Sequence, residues 1–435
     1  MSTNAELQDT PGYLDPMSEP AENQYAGAED TANIGSVPRI TVHGFCLTDA
    51  TMHMAETAME DRRMAKAHLK LEMGGIPAAI DVFAQAPTPN LIIVETNGQR
   101  EELLTNLDQL AEYCDAGTKV IVIGNMNDVL LYRELIARGV SEYLISPVNV
   151  YQLIGAIAEL YADPESEPLG RTTAFFGIKG GCGSSTIAHN CAWVLGRNFQ
   201  SEVVVTDLDL PFGTAGLDYN QDPLQGVFEA ISSPDRLDET YLDRILSKCS
   251  EHLSLLAAPA TLERTYDHSE KSFELLFETM RASVPNVVLD VPHTWNAWVK
   301  NTLLNVDEIV LVAEPDLANL RNAKNAVDML KQLRPNDRAP HLVMNKVNVP
   351  KRPEIKPDEF ASALGLTVQA AIPFEPQLFG TAANNGQMIS EMDGKHAVAR
   401  QFDDLANAIS GKVQPPKVTR SGLGGLFSKL KRKSG

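Results

Sequence analysis

Apolar positions along the chain fall into short runs separated by stretches of helical period. Between residues 38 and 162, strand-like apolar runs cover 39–45, 78–83, 91–94, 119–123 and 142–145, and helix-like stretches cover 50–73, 100–115, 128–138 and 149–162. Strands and helices alternating at this spacing predict a parallel sheet with helices on both faces. A second block of the same kind runs from 172 to about 410, with strands over 173–178, 202–206, 253–257, 286–289, 308–313 and 341–345. Those runs are almost continuously apolar, as expected of strands buried on both faces. The predicted fold class is therefore α/β, with two doubly wound domains at 38–162 and 172–410. The charged, Pro-bearing stretch 163–171 reads as the linker, and no internal repeat is evident.

The two ends differ from the middle. Residues 1–37 are rich in Asp, Glu, Pro, Gly, Asn and Ser and too poor in apolar residues to bury, so an acidic disordered tail is expected. The last 25 residues, 411–435, carry seven basic side chains and no acid. Within them Leu423, Leu426, Phe427 and Leu430 share one face of a helix among Lys429, Lys431, Arg432 and Lys433. Such a segment suits an anionic membrane surface, a docking partner or simple solvation, and a dimer would present it twice. The net charge of −20 argues against a nucleic-acid binder. The five cysteines form no CxxC pair, which suits a reduced, cytoplasmic protein. The chain opens with no secretory signal, and no apolar run approaches the ~20 residues a bilayer span requires.

The sharpest motif is "FFGIKGGCGSST", 175–186. An apolar strand runs into a Gly-rich turn, and a helix with Ile187, Cys191, Val194 and Leu195 on one face follows. In such a turn successive backbone N–H groups can point at phosphate oxygens, helped by the helix N-terminus. The phosphate-binding candidates are Lys179, Gly180, Gly181, Cys182, Gly183, Ser184, Ser185 and Thr186. A standard phosphate loop ends in Gly-Lys-Ser/Thr, whereas this one reads Gly183-Ser184-Ser185. Asp207 and Asp209 lie just past a buried strand, where α/β folds bind ligands.

The early lysine of this turn resembles the deviant Walker A motif of the MinD/ParA ATPases. The resemblance implies ATP and Mg²⁺ as cofactors and an ATP-sandwiched homodimer, in which Lys179 reaches the phosphates of the opposite subunit. Ser184 stands where the family usually keeps a second lysine. Losing one charge-assisted contact costs roughly 1.5–3 kcal/mol, so binding can persist while hydrolysis becomes weak or absent. Ser185 offers a hydroxyl to Mg²⁺, and Asp290 resembles the Walker B acid that holds the metal through water. Asp207 and Asp209 match the switch I acids, Asp207 for the outer shell of the metal and Asp209 for orienting water. Asn345 matches an adenine-contacting Asn or caps its strand, and Pro373 lies in the loop that closes over the base.

Together with "DLDLPFGTAGLDYN" and "IPFEPQLFGTAANNGQMI", the lysine-depleted loop is similar to TadZ/CpaE proteins of Flp (Tad) pilus assembly. The resemblance covers about 38–410. It implies a cytoplasmic factor that localises to a cell pole and recruits pilus-assembly components, with peripheral contact at the inner membrane. Residues 38–162 resemble a response-regulator receiver, but Glu95 stands at the phospho-acceptor position, Gly124 where Ser or Thr is expected, and Ser146 where Lys is expected. A docking surface for other pilus proteins, or a fixed mimic of the phosphorylated state, follows. The rival readings are a ParA-type ATPase that positions DNA or protein cargo, an iron-protein-like reductase and a phosphorelay receiver. The acidic charge counts against DNA, and the second switch region and 207–220 lack the cysteines a cluster would need.

Overall fold

The computed structural model describes residues 34–35, 37–162 and 169–410. The expectations for 1–33, most of the 163–171 linker and the basic 411–435 segment lie outside those residues.

The first unit alternates β1 (Thr41–Cys46), α1 (Asp49–Met59), β2 (His68–Met73), α2 (Gly75–Phe83), β3 (Leu91–Glu95), α3 (Arg100–Ala111), β4 (Lys119–Gly124), α4 (Val129–Ala137), β5 (Glu142–Ile145) and α5 (Val150–Tyr161). Its five strands pair in the order β2-β1-β3-β4-β5, all parallel. That order is a doubly wound arrangement of the flavodoxin kind. Separate clusters built on Phe45, Ile92 and Val94, and on Val42, Leu91 and Ile93, cover the two faces.

Two sequence expectations fail here. Residues 68–73 form β2 instead of ending a helix, and 78–83 belong to α2 instead of a strand. The first is an edge strand whose "HLKLEM" pattern is half polar because no residue in it is fully buried. In the second, Ile76, Ala79 and Phe83 are buried at helical spacing inside a stretch that is apolar nearly throughout, so a short window cannot separate helix from strand. Val37, counted with the acidic tail, is fully buried and donates its N–H to Arg63 O at 2.8 Å.

The second unit opens with β6 (Arg171–Gly177), α6 (Ser184–Phe199), β7 (Val203–Asp207), α7 (Ala215–Asp218), α8 (Val227–Ser232) and α9 (Glu239–Ile245). It continues with β8 (Ser247–Ser250), β9 (Leu253–Leu256), α10 (Glu274–Ser283), β10 (Asn286–Val291), α11 (Ala297–Asn305), β11 (Glu308–Ala313) and α12 (Leu317–Leu333). It closes with β12 (His341–Val347), α13 (Pro357–Leu364), β13 (Val368–Pro373), α14 (Pro376–Asn385), α15 (Ile389–Met392) and α16 (Ala397–Ile409).

Eight strands pair as β13-β12-β11-β6-β10-β7-β9-β8, and only the edge strand β8 runs antiparallel. In β10, Val287, Leu289 and Val291 face one core and Val288 the other, which explains the unbroken apolar run. β6 lies between β11 and β10, and α6 covers the face opposite α11. Chain direction therefore switches around the C-terminal end of β6, and a crevice opens there.

The two units meet at the other end of that sheet. The turn Arg62–Met64 reaches the start of β11 and the stretch after α12. Arg62 pairs with Asp337 at 3.0 Å and Asp307 at 3.4 Å, and Arg63 pairs with Asp337 at 2.8 Å. Arg334, almost fully buried, completes the cluster on Asp337 at 2.5 Å. Among the described residues no helix is long and apolar enough to cross a membrane.

Candidate functional site

The Gly-rich turn leaves β6 at Ile178, whose N–H donates to Val312 O at 2.9 Å on neighbouring β11. Gly181 and Gly183 have φ of 81° and 87°, the left-handed region that side chains disfavour. At Gly183 a Cβ would also lie 2.5 Å from Asn345 Nδ2. Four side chains from three other segments hold carbonyls of the turn. His293 Nδ1 lies 2.7 Å from Gly177 O, Asn322 Nδ2 donates to Ile178 O at 3.1 Å, and Asn345 Nδ2 to Cys182 O at 2.8 Å. Lys346 Nζ donates to Gly181 O and pairs with Glu314 at 2.9 Å. With these carbonyls engaged outward, and the Ser184 N–H turned to the Cys182 sulfur, the first-turn amides of α6 at Ser185 and Thr186 have no intrahelical acceptor and remain for an anion.

Lys179 is half exposed, and its Nζ lies 3.3 Å from Asp316 Oδ2. Ser184 Oγ, at the position of the missing lysine, is buried without a partner. Asn345 is spent on the protein itself. Its Nδ2 braces Cys182, and its Oδ1 accepts the Lys346 N–H at 2.8 Å. Pro373 ends β13 next to β12, and the Phe374 N–H bonds to Val347 O at 2.9 Å.

The acids converge from adjacent strands. Asp207 and Asp290 are register partners at the ends of β7 and β10, and both are buried. Asp207 closes the following loop by accepting from Asp209 N and Ala215 N, each at 3.1 Å. Burial, together with the charge of Asp290, pushes Asp207 up to about 7. Asp209 accepts from Phe212 N at 3.3 Å, and partial burial raises it. Asp290 Oδ1 is buried without a partner.

His189 and Lys346 were not singled out by the sequence reading, although both reach this site. His189 is completely buried on α6, with Nδ1 2.7 Å from Asp218 Oδ2 and Nε2 3.4 Å from Asp290 Oδ2. Burial alone would lower its pKa, but the two carboxylates override that and hold it at about 10. Its sequence context, four residues past Ser185 on one helix face, is also that of an ordinary core residue.

In the first unit, Glu95 ends β3 with both carboxylate oxygens committed. It accepts from Leu47 N at 2.6 Å, Thr48 N at 2.9 Å, and the Thr48 and Thr51 hydroxyls at 2.8 Å each. Burial would raise it, yet these donors hold it below the usual carboxylate range. At Gly124 a Cβ would fall 2.5 Å from Tyr143 Oη, so the position expected to carry a hydroxyl is filled by a tyrosine.

No family model matches the chain. A solved structure of the pilus assembly protein CpaE from Caulobacter crescentus is 49% identical, covering 30% of this chain and 98% of that one, with a TM-score of 0.29. The chain belongs to the CpaE-like family of MinD/ParA proteins. The kinship rests on identity across almost the whole of that solved chain. The curated septum site-determining protein MinD of Bacillus subtilis is 23% identical over 268 residues, 58% of this chain and 94% of its own length. A ParA family ATPase from Chlorobium tepidum matches 55% of this CpaE-like chain and 98% of its own at 24% identity and a TM-score of 0.50, which bears on the fold alone.

Proposed function

We propose that this chain is an ATP-binding assembly factor of a surface pilus of the Flp (Tad) kind, with weak or absent hydrolysis. The observation that carries the reading is the turn 179–186. It has two left-handed glycines, its carbonyls are tied outward, and it opens α6 beside the Asp207–Asp290 pair. Phosphates would lie on the amides of Gly180 to Thr186. The free Asp290 oxygen and the Ser185 hydroxyl suit a hard cation, so Mg²⁺ would be held there, with Asp207 behind it. When bound, the metal would neutralise charge on the β- and γ-phosphates. Asp209 would orient water, and Lys179 would leave Asp316 for the phosphates of a second copy. CpaE kinship supports the pilus role, with the first unit as the docking surface and the basic C-terminal segment as a membrane contact at the cell pole.

Calorimetric titration with ATP, ADP and Mg²⁺, followed by a turnover assay, tests the reading. Micromolar ATP binding with turnover below about one per minute is expected, and no binding at millimolar ATP overturns it. Lys179→Ala should leave the fold intact and abolish ATP-dependent dimers in analytical ultracentrifugation. Dimers unchanged in that variant would remove Lys179 from the role.

A further inference from the structure

Lys346 reaches the Gly-rich turn by a route that a regular strand does not provide. Successive side chains of a strand point to opposite faces. Here two successive residues of β12 reach the same turn, Asn345 on Cys182 O and Lys346 on Gly181 O. The pairing of β12 with β13 shifts register between Met344 and Val347, and Lys346 takes a left-handed backbone with φ of 51°. Such an irregularity re-aims a side chain. A residue with a Cβ adopts that conformation at a cost, and its surroundings must hold it there. Asn345 Oδ1 does so by accepting the Lys346 N–H at 2.8 Å. Glu314, just past β11, holds the ammonium at 2.9 Å, and Arg352 anchors Glu314 at 2.7 Å.

The tip of the turn has little else to hold it. Apart from chain neighbours, nothing among the described residues lies within 4 Å of the place a Cβ would take at Gly181. At Gly180 only the His293 ring comes that near, at 3.5 Å. One backbone bond, from Cys182 N–H to Lys179 O at 3.2 Å, spans the two glycines. Glycine loses more conformational freedom on ordering than any other residue. We propose that Lys346 is a positioning residue of the nucleotide site, whose ammonium, bonded to Gly181 O, keeps the tip in the left-handed form that receives phosphate. The proposal rests on the nucleotide-binding reading. A charge-assisted hydrogen bond is stronger than a neutral one, and this one is in place before any ligand arrives. Binding then does not have to order the tip. The chain thereby brings a cation to the turn from β12, although residue 184 supplies none.

The test measures ATP affinity of the full chain by calorimetry in Mg²⁺, and backbone order of the glycine-labelled protein by ¹⁵N relaxation without nucleotide. In the unaltered protein Gly180 and Gly181 should be as ordered as the strands, with order parameters of about 0.85. Lys346→Gln should lower them below about 0.6 and weaken ATP binding at least about tenfold. Lys346→Gly suits the left-handed backbone, serves if the first variant does not fold, and should behave alike. Lys346→Arg keeps a charged donor, and Glu314→Gln leaves the Gly181 bond in place, so each should stay within about threefold of the starting affinity. Equal losses in Lys346→Gln and Glu314→Gln would make the ion pair the agent and overturn the proposal. So would an Arg variant as weak as the Gln one, or glycines equally ordered with and without the lysine. Failure of the unaltered protein to bind ATP would count against the nucleotide reading, and the relaxation measurement would still decide whether Lys346 holds the tip.

Discussion

Position 184 is a serine where a standard phosphate loop carries lysine. The Ser184 hydroxyl is buried without a partner, so the proposed site has a polar atom there and no cation. Another cation reaches the turn from β12, Lys346 on the Gly181 carbonyl, and it does not start from residue 184. Ser184→Lys should raise ATP turnover about tenfold or more, since one charge-assisted contact in the transition state is worth roughly 1.5–3 kcal/mol. A steady-state phosphate-release assay checks this, and flat turnover would mean that another step limits the rate. Asn345 was legible as a polar residue ending a strand. That its amide braces Cys182 was not, because the contact joins residues 163 positions apart.

Among elements, the turn between β1 and α1 depends on a residue far along the chain. Glu95 satisfies the N–H groups of Leu47 and Thr48 and two hydroxyls at the start of α1. A carboxylate near a helix N-terminus is favourable on both hydrogen-bonding and dipole grounds. Glu95→Ala should destabilise the first unit by about 3 kcal/mol, because buried N–H groups lose their acceptor, and Glu95→Gln by less. Chemical denaturation followed by hydrogen exchange in β1 and α1 would measure it. Most elements were legible from period and apolar runs. Among the exceptions, β2 is an edge strand and α2 a helix with few polar positions, for which a local pattern carries little information, and the edge strands β8 and β13 were not among the predicted strands either.

At the scale of the whole molecule, the cluster around Asp337 joins the two units at the end of the sheet away from the Gly-rich turn. Burial works against the Asp337 charge, but Arg62, Arg334 and Arg63 outweigh it and hold the carboxyl at about 2. Its folded value is depressed below the unfolded one, so its contribution is complete above about pH 4. That contribution fades as pH falls toward 2, and its full size is about 2 kcal/mol. Acid titration followed by small-angle scattering should show the units losing their fixed contact in that window. Asp337→Asn should show the loss already at neutral pH, and a scattering profile unchanged in both cases would refute the latch. Because the contact lies at the opposite end of the sheet, the first unit leaves the crevice at the C-terminal end of β6 uncovered.

The period of its apolar residues, the Gly-rich turn between a buried strand and a helix, and acids placed at strand ends were enough to define two α/β sheets and to propose a phosphate loop without its closing lysine. Those features are local, since each depends on residues within a turn or two of one another. The partners of the loop carbonyls, the commitment of Glu95 to the β1–α1 turn, the His189 ring between Asp218 and Asp290, and the ionic contact between units all join distant positions. Their existence depends on strand order and on which side chains meet after burial, and a buried charge declares its role only through the neighbour that neutralises it.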